Sequence, residues 1–234
     1  AAQKQILIKD ASALENMRKV NALVIDKTGT LTIPNPNIDF TKADNIPFEE
    51  REQLKPNAAK AMARLKEEGI DVFMMSGDKE AAAHYWAEKA GIEHYRSEVR
   101  PDDKQKLVSQ LQQEGKIVAM VGDGINDTQA LATADVGIAI GRGTDAAMDV
   151  AQVTLMGNDL IALPEAVNMS RRTVRMIWQN LFWAFIYNLV CIPLAAGALY
   201  LFDINFQITP MWASALMAFS SVSVVLNSLR LKWL

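Results

Sequence analysis

Apolar and polar positions follow two rhythms over roughly the first 155 residues of the chain. ALVID (22–26), DVFMMS (71–76), KIVAMVGD (116–123) and VGIAI (136–140) are short, nearly unbroken apolar runs, the pattern of strands buried on both faces. Between them, AAKAMARLKEEG, EAAAHYWAEKAG and DKQKLVSQLQQEG repeat apolar residues at helical spacing. These segments end on Gly69, Gly91 and Gly115, the residue type that closes a helix most readily. Strand–helix alternation predicts an α/β fold, a Rossmann-like parallel sheet with helices on both faces, whose ligands sit at the carboxyl ends of the strands. The stretch 33–56 carries four prolines and no period, and is expected to be a connecting loop.

From Met176 the pattern changes. Asp203 is the one formally charged side chain between Met176 and Leu229. Two apolar stretches, about 176–202 and 209–229, each approach or exceed the roughly 20 residues that span a bilayer. A pair of core helices in a soluble protein is the alternative, but uncharged runs this long are rare in so small a domain. Arg171, Arg172 and Arg175 precede the first span, and Arg230 and Lys232 follow the second. By the positive-inside rule both clusters, and the soluble part with them, face the cytoplasm of an integral membrane protein. The expected organisation is a cytoplasmic lead-in (1–21) from a preceding membrane helix, a catalytic domain (22–170) and two transmembrane helices (171–234). The 22% charged and 50% apolar composition resembles that of a soluble protein only because the average hides this division. A net charge of −3 gives no reason to expect nucleic acid, and the lone Cys191 excludes an internal disulfide. The N-terminus has no secretory pattern and no initiator Met, as expected of a fragment or processed chain.

The chemistry lies at strand ends. Asp26-Lys27-Thr28-Gly29-Thr30-Leu31-Thr32 follows the first apolar run directly. A carboxylate there, facing a glycine-containing turn, can attack a phosphoryl group and become an aspartyl phosphate. Ser76-Gly77-Asp78 ends the second run and offers a hydroxyl and an amide to phosphate oxygens. Lys104, at the start of a helix, can neutralise the charge. Gly122-Asp123-Gly124-Ile125-Asn126-Asp127 ends a third run, and its carboxylates suit a hard Mg²⁺ ion. Singly, each has an ordinary reading as a turn, a surface lysine or a cap; four in this order make coincidence a poor account.

DKTGTLT and GDGINDTQAL resemble the signatures of P-type ATPases, within the haloacid dehalogenase superfamily. The resemblance implies that Asp26 is phosphorylated by ATP, with Thr28, Ser76 and Lys104 as its catalytic partners. It places Lys27, Gly77 and Asn126 at the phosphate, and Asp26, Thr28, Asp123 and Asp127 around Mg²⁺. Ser76 stands where the family usually has Thr, and Gln129 where many members have Pro. Phosphatases of the superfamily generally carry Asp two residues after the nucleophile, and Thr28 here cannot relay a proton well. The phosphoenzyme is therefore expected to persist, as a pump requires.

Polar residues within an apolar span are costly and hence functional candidates. Asn180, Tyr187, Asn188 and Cys191 lie in the first span, and Met217, Ser220, Ser221 and Asn227 in the second. Packing accounts for Cys191, and the two terminal Asn residues sit where interface placement is cheap. The spacing Asn180-x₆-Tyr187-Asn188-x₄-Pro193, then Pro210-x₆-Met217-x₂-Ser220-Ser221-x₅-Asn227, resembles the last two helices of copper(I)-exporting ATPases. By that resemblance Tyr187, Asn188, Met217 and Ser220 or Ser221 line a site for Cu(I), or Ag(I), with the soft Met thioether the most direct ligand. The lipid bilayer of a bacterial inner membrane is the expected setting. Earlier membrane helices with Cys-Pro-Cys, the actuator domain and the inserted nucleotide-binding domain of such pumps have no counterpart in the 234 residues. Two rivals remain: a membrane-anchored Mg²⁺-dependent phosphatase, and a non-catalytic pump subunit.

Overall fold

The computed structural model describes residues 6–38, 46–141, 145–196 and 210–229. The chain divides into two units, 1–171 and 172–234.

The first unit is built on seven strands: β1 (Ile6–Ile8), β2 (Ala22–Asp26), β5 (Asp71–Met75), β6 (His94–Arg96), β7 (Val118–Gly122), β8 (Val136–Ile140) and β9 (Val153–Leu155). They lie in the order β1-β9-β8-β7-β2-β5-β6. All neighbours are parallel except β1, which runs antiparallel to β9 with Ile6 opposite Leu155. Successive residues of β2 explain its unbroken apolar run. Leu23 and Ile25 enter one core with α1 (Ala11–Lys19), α3 (Ala58–Glu67), α4 (Glu80–Ala90) and the foot of α8 (Ala162–Ala195). Ala22 and Val24 enter the other with α5 (Pro101–Gln113), α6 (Thr128–Thr133) and Ala147 of α7 (Asp145–Val150). The expected parallel sheet with helices on both faces is borne out.

Three short strands were not anticipated. β1, β6 and β9 have three residues each, too few for a period to register. Residues 6–20, expected as a lead-in, instead join the domain. Asp10 caps α1 by accepting the Ala13 N–H at 2.6 Å, and Ala13 and Met17 are buried.

The stretch 33–56 is also corrected, since the expected loop contains structure. β3 (Thr32–Pro34) pairs antiparallel with β4 (Glu52–Leu54), and α2 (Phe48–Arg51) leads into β4. Its polar residues hold it closed. The Asn35 N–H and side-chain amide donate to Arg51 and Glu50 carbonyls at 2.9 Å, and Arg51 Nε donates to Ile46 O at 2.7 Å. Phe48 packs edge-on to Tyr85 of α4, with ring centroids 5.6 Å apart.

In the second unit, α8 continues to Ala195 and α9 covers Pro210–Leu229. Among the described residues one helix, α8, is long and apolar enough to cross a membrane, and Ala218–Leu229 is a shorter apolar stretch. Residues 197–209, including the end of the first expected span, lie outside the described residues. Asn180 and Asn227 link the two helices. Asn227 Nδ2 donates to Asn180 Oδ1 at 2.8 Å, and Asn180 Nδ2 donates to Ser228 Oγ at 3.0 Å.

Candidate active site

The chain leaves β2 first for β5 and β6 on one side, then returns to β7 on the other. That reversal opens a crevice at the carboxyl ends of β2 and β7, the usual ligand position in such sheets. Asp26 is the last residue of β2, and Asp123 and Asp127 follow β7 through a turn of 3₁₀ helix (Ile125–Asp127). Carboxylate oxygens of all three lie within 4.8 Å of one another.

Lys104 enters from the first turn of α5. Its ammonium donates to Asp26 Oδ1 and to Asp127 Oδ1, each at 2.7 Å. Asp26, Asp127 and Lys104 are all buried. Burial, and then the Asp127 charge, push the Asp26 carboxyl up to about 6, with Lys104 opposing. Burial and Asp127 also raise Asp123. Lys104 is raised; its burial lowers it, but the two carboxylates outweigh that. Three carboxylates around one bonded lysine therefore leave negative charge in a site that disfavours it. That donor set suits a divalent hard cation, which would relieve the repulsion.

Two glycines set this geometry. Gly29 has φ +76°, and a Cβ there would lie 1.9 Å from Asp123 Oδ2. At Gly122 a Cβ would meet Asp127 at 2.6–2.7 Å. Neither position has room for a side chain while the carboxylates stay in place. The loop after Asp26 winds around one carbonyl: Lys27 O accepts the Leu31 and Thr32 N–H groups at 2.9 Å.

The other expected residues divide. Ser76 is fully buried and its Oγ accepts the Asp78 N–H at 3.1 Å, which leaves the hydroxyl proton for donation. Its own N–H is committed to Arg96 O at 2.9 Å. Thr28, Gly77 and Asn126 are exposed at the crevice-side turns. Lys27 is a correction. Its N–H donates to Met75 O at 2.9 Å, and its buried ammonium is held by Glu52 and, at 2.7 Å, by Asp78. Lys27 lies just beyond the end of β2, and its ammonium is committed to these two carboxylates.

Lys55 escaped the sequence reading. It is 4% exposed, its N–H donates to Leu31 O at 3.0 Å, and its charge acts on Asp123. Burial lowers its pKa. Between a strand and a proline in an aperiodic stretch, it offered no pattern to find it by. In the second unit, Asn188 Nδ2 donates to Ala184 O at 3.1 Å and Ser220 O accepts the Ser223 hydroxyl at 2.8 Å, bonds within their own helices. Tyr187 is half-buried, Ser221 is exposed, and the Met217 side chain lies outside the described residues.

Comparison with known proteins agrees with this arrangement. The haloacid dehalogenase-like hydrolase family matches residues 38–135. Over 180 residues the chain is 53% identical to the probable copper-transporting ATPase PacS of Synechocystis, covering 76% of this chain and 24% of that protein. This chain is thus similar to the part of copper-transporting P-type ATPases that includes the haloacid dehalogenase-like domain. A copper-exporting P-type ATPase of Legionella pneumophila is 35% identical over 99% of the chain and 45% of its own length. That alignment runs over 332 positions, so the relative has residues inside the aligned region with no counterpart in a 234-residue chain. A zinc-transporting PIB-type ATPase in the E2.Pi state superposes with a TM-score of 0.81 at 24% identity, over 99% of this chain and 53% of that one. The chain thus spans less than half of the length of these curated relatives.

Proposed function

We propose that Asp26 accepts a phosphoryl group from ATP, and that the two apolar helices belong to the ion path of a Cu(I)-exporting pump. The observation that carries the first part is Lys104 joined to Asp26 and Asp127 in a buried carboxylate cluster. An oxygen of Asp26 forms the new bond to phosphorus while the bond to the departing nucleotide oxygen breaks. Lys104 offsets charge on the transferred group, and the Ser76 hydroxyl donates to one of its oxygens, with Gly77 and Asn126 beside it. Asp26, Asp123, Asp127 and Thr28 would hold Mg²⁺, which when bound supplies charge neutralisation to the phosphoryl oxygens. Thr28, in place of a second acid–base carboxylate, lets the aspartyl phosphate persist.

The copper assignment draws support from the relatives' names and from Tyr187, Asn188, Met217, Ser220 and Ser221 in spans without a carboxylate or lysine. The whole pump would add further membrane helices, an actuator domain and a nucleotide-binding domain. It would lie in a bacterial inner membrane with residues 6–171 in the cytoplasm, as the flanking arginines and lysine favour.

The test is covalent labelling of the chain in micelles with acetyl phosphate and Mg²⁺. A stable acid-resistant phosphoenzyme is expected, absent in Asp26→Asn. Rapid turnover without a partner would instead identify a phosphatase, the reading that the short 33–56 segment favours. Equal labelling of Asp26→Asn would sink both.

A further inference from the structure

The lysine that follows the nucleophile is 2% exposed. Such a burial is costly unless the charge is met by good partners. The Lys27 ammonium meets two carboxylates. Glu52 is the first residue of β4, and the same Glu52 oxygen accepts the Thr32 hydroxyl of β3 at 3.0 Å. Asp78 lies in the turn after β5, tied there through its N–H to Ser76 Oγ. The Thr32 hydroxyl also lies 3.2 Å from Lys27 O, the carbonyl around which the nucleophile loop winds.

Three segments of the site therefore converge on one buried ammonium. They are the loop after Asp26, the root of the β3–β4 hairpin and the turn that carries Ser76. One carboxylate would suffice to neutralise Lys27. The second extends the reach of the network, so that neither the hairpin nor the Ser76 turn can shift without drawing on the nucleophile loop.

We propose that Lys27, Glu52 and Asp78 form an ionic strut that positions Asp26 for phosphoryl transfer and couples it to whatever fills the chain between β3 and β4. Glu52 is then a positioning residue, remote from the reacting atoms. This rests on the reading of Asp26 as phosphoryl acceptor. In a longer relative, a domain inserted at that point would be fastened to the nucleophile through its own root.

The experiment uses the full chain in micelles with acetyl phosphate and Mg²⁺. It records the limiting labelling rate, the half-saturating acetyl phosphate and amide exchange across Lys27–Thr32. Glu52→Gln is expected to lower the limiting rate about tenfold and leave half-saturation within about twofold, the split of an interaction that acts on positioning rather than binding. Exchange at Leu31 and Thr32 should quicken. Lys27→Met should be slower still, and adding Glu52→Gln to Lys27→Met should cost less than Glu52→Gln costs alone, because the carboxylate then has no ammonium to hold. Thr32→Val, a milder cut, should fall between parent and Glu52→Gln. A raised half-saturation at unchanged limiting rate would place Lys27 on the phosphoryl group and overturn the strut. So would a double variant in which the two single losses simply multiply, since uncoupled residues behave that way. Failure of the parent to label would count against Asp26 as acceptor, not against the strut, which unchanged amide exchange in Glu52→Gln would still overturn.

Discussion

Residues 6–171 and the helices from Arg172 onward use the same kinds of side chain in opposite ways. In α3, Ala61, Met62 and Leu65 are buried, while Lys60, Lys66 and Glu67 face water. Along α8 beyond the domain, Ile177, Trp178, Leu181, Phe182 and Phe185 are all exposed. Trp86 in the first unit is 1% exposed and Trp178 in the second is 61%. The first unit is a product of water: its apolar surface is removed by folding, and that removal drives the fold. Helices with apolar side chains all round satisfy their backbone internally and need hydrocarbon outside. The difference teaches that the first unit folds its apolar side chains away from water, while the helices from Arg172 onward present theirs outward.

The sharpest way to break the comparison is to truncate the two tryptophans. Trp86→Ala should cost the soluble unit about 3–5 kcal/mol in denaturant unfolding, the range for a buried aromatic. Trp178→Ala should leave that transition within about 0.5 kcal/mol and weaken partition into bilayers instead. Equal losses in denaturant would mean that both units share one aqueous core.

Next in size is the charge held at Asp26. Its carboxyl, at about 6, is raised above the ordinary carboxylate value, chiefly by burial, so the folded metal-free protein takes up a proton there more readily than the unfolded chain. Its contribution to stability is then fully present below the ordinary value and lost as pH rises through about 6. Without Mg²⁺, Asp26→Asn should therefore stabilise the protein at pH 7 by on the order of 2–3 kcal/mol, read from thermal unfolding. Mg²⁺ affinity should fall about tenfold per pH unit below about 6, as a proton competes for the carboxylate. A pH-independent affinity between 5 and 7 would remove Asp26 from the cation site.

Gly29→Ala should weaken Mg²⁺ binding at least tenfold, about 1.4 kcal/mol, because the new methyl displaces Asp123. Gly69→Ala is the control, with a similar φ of +77° but nothing within 4 Å of its Cβ. Calorimetric titration should show the loss in the first variant alone. The smallest effect belongs to the second unit. Asn227→Leu removes the bond to Asn180, and interhelical bonds of this kind average about 0.6 kcal/mol, measurable by unfolding in mixed micelles. A loss several times larger would show that polar contacts, rather than lipid, organise the helix pair.

Much of the first unit was legible because its long elements carry strong periods. β2 and β8 occupy the predicted residues, and the acidic motifs fall at strand ends as parallel topology demands. The short segments were not legible. β1, β6 and β9 are edge or near-edge strands of three residues, defined by the neighbours they pair with. In 33–56, prolines and asparagines suggest irregular chain, but here they close a hairpin whose stability comes from bonds between residues far apart in the sequence. Lys27 and Lys55 show the same limit within the site, since a charge's role depends on which carboxylates lie across the fold.

By itself, then, the sequence determined the alternation of strand and helix, the order of the motifs and the break in solvent near Arg172. Each is written in periodicity or composition that local physics reads directly. Only the tertiary structure decided that Lys104 bridges Asp26 and Asp127, that Lys27 turns to Glu52 and Asp78, and that Gly29 leaves room for Asp123. Those contacts join residues many positions apart, and it is their burial together, in a medium where an unpaired charge is costly, that assigns each one its partner.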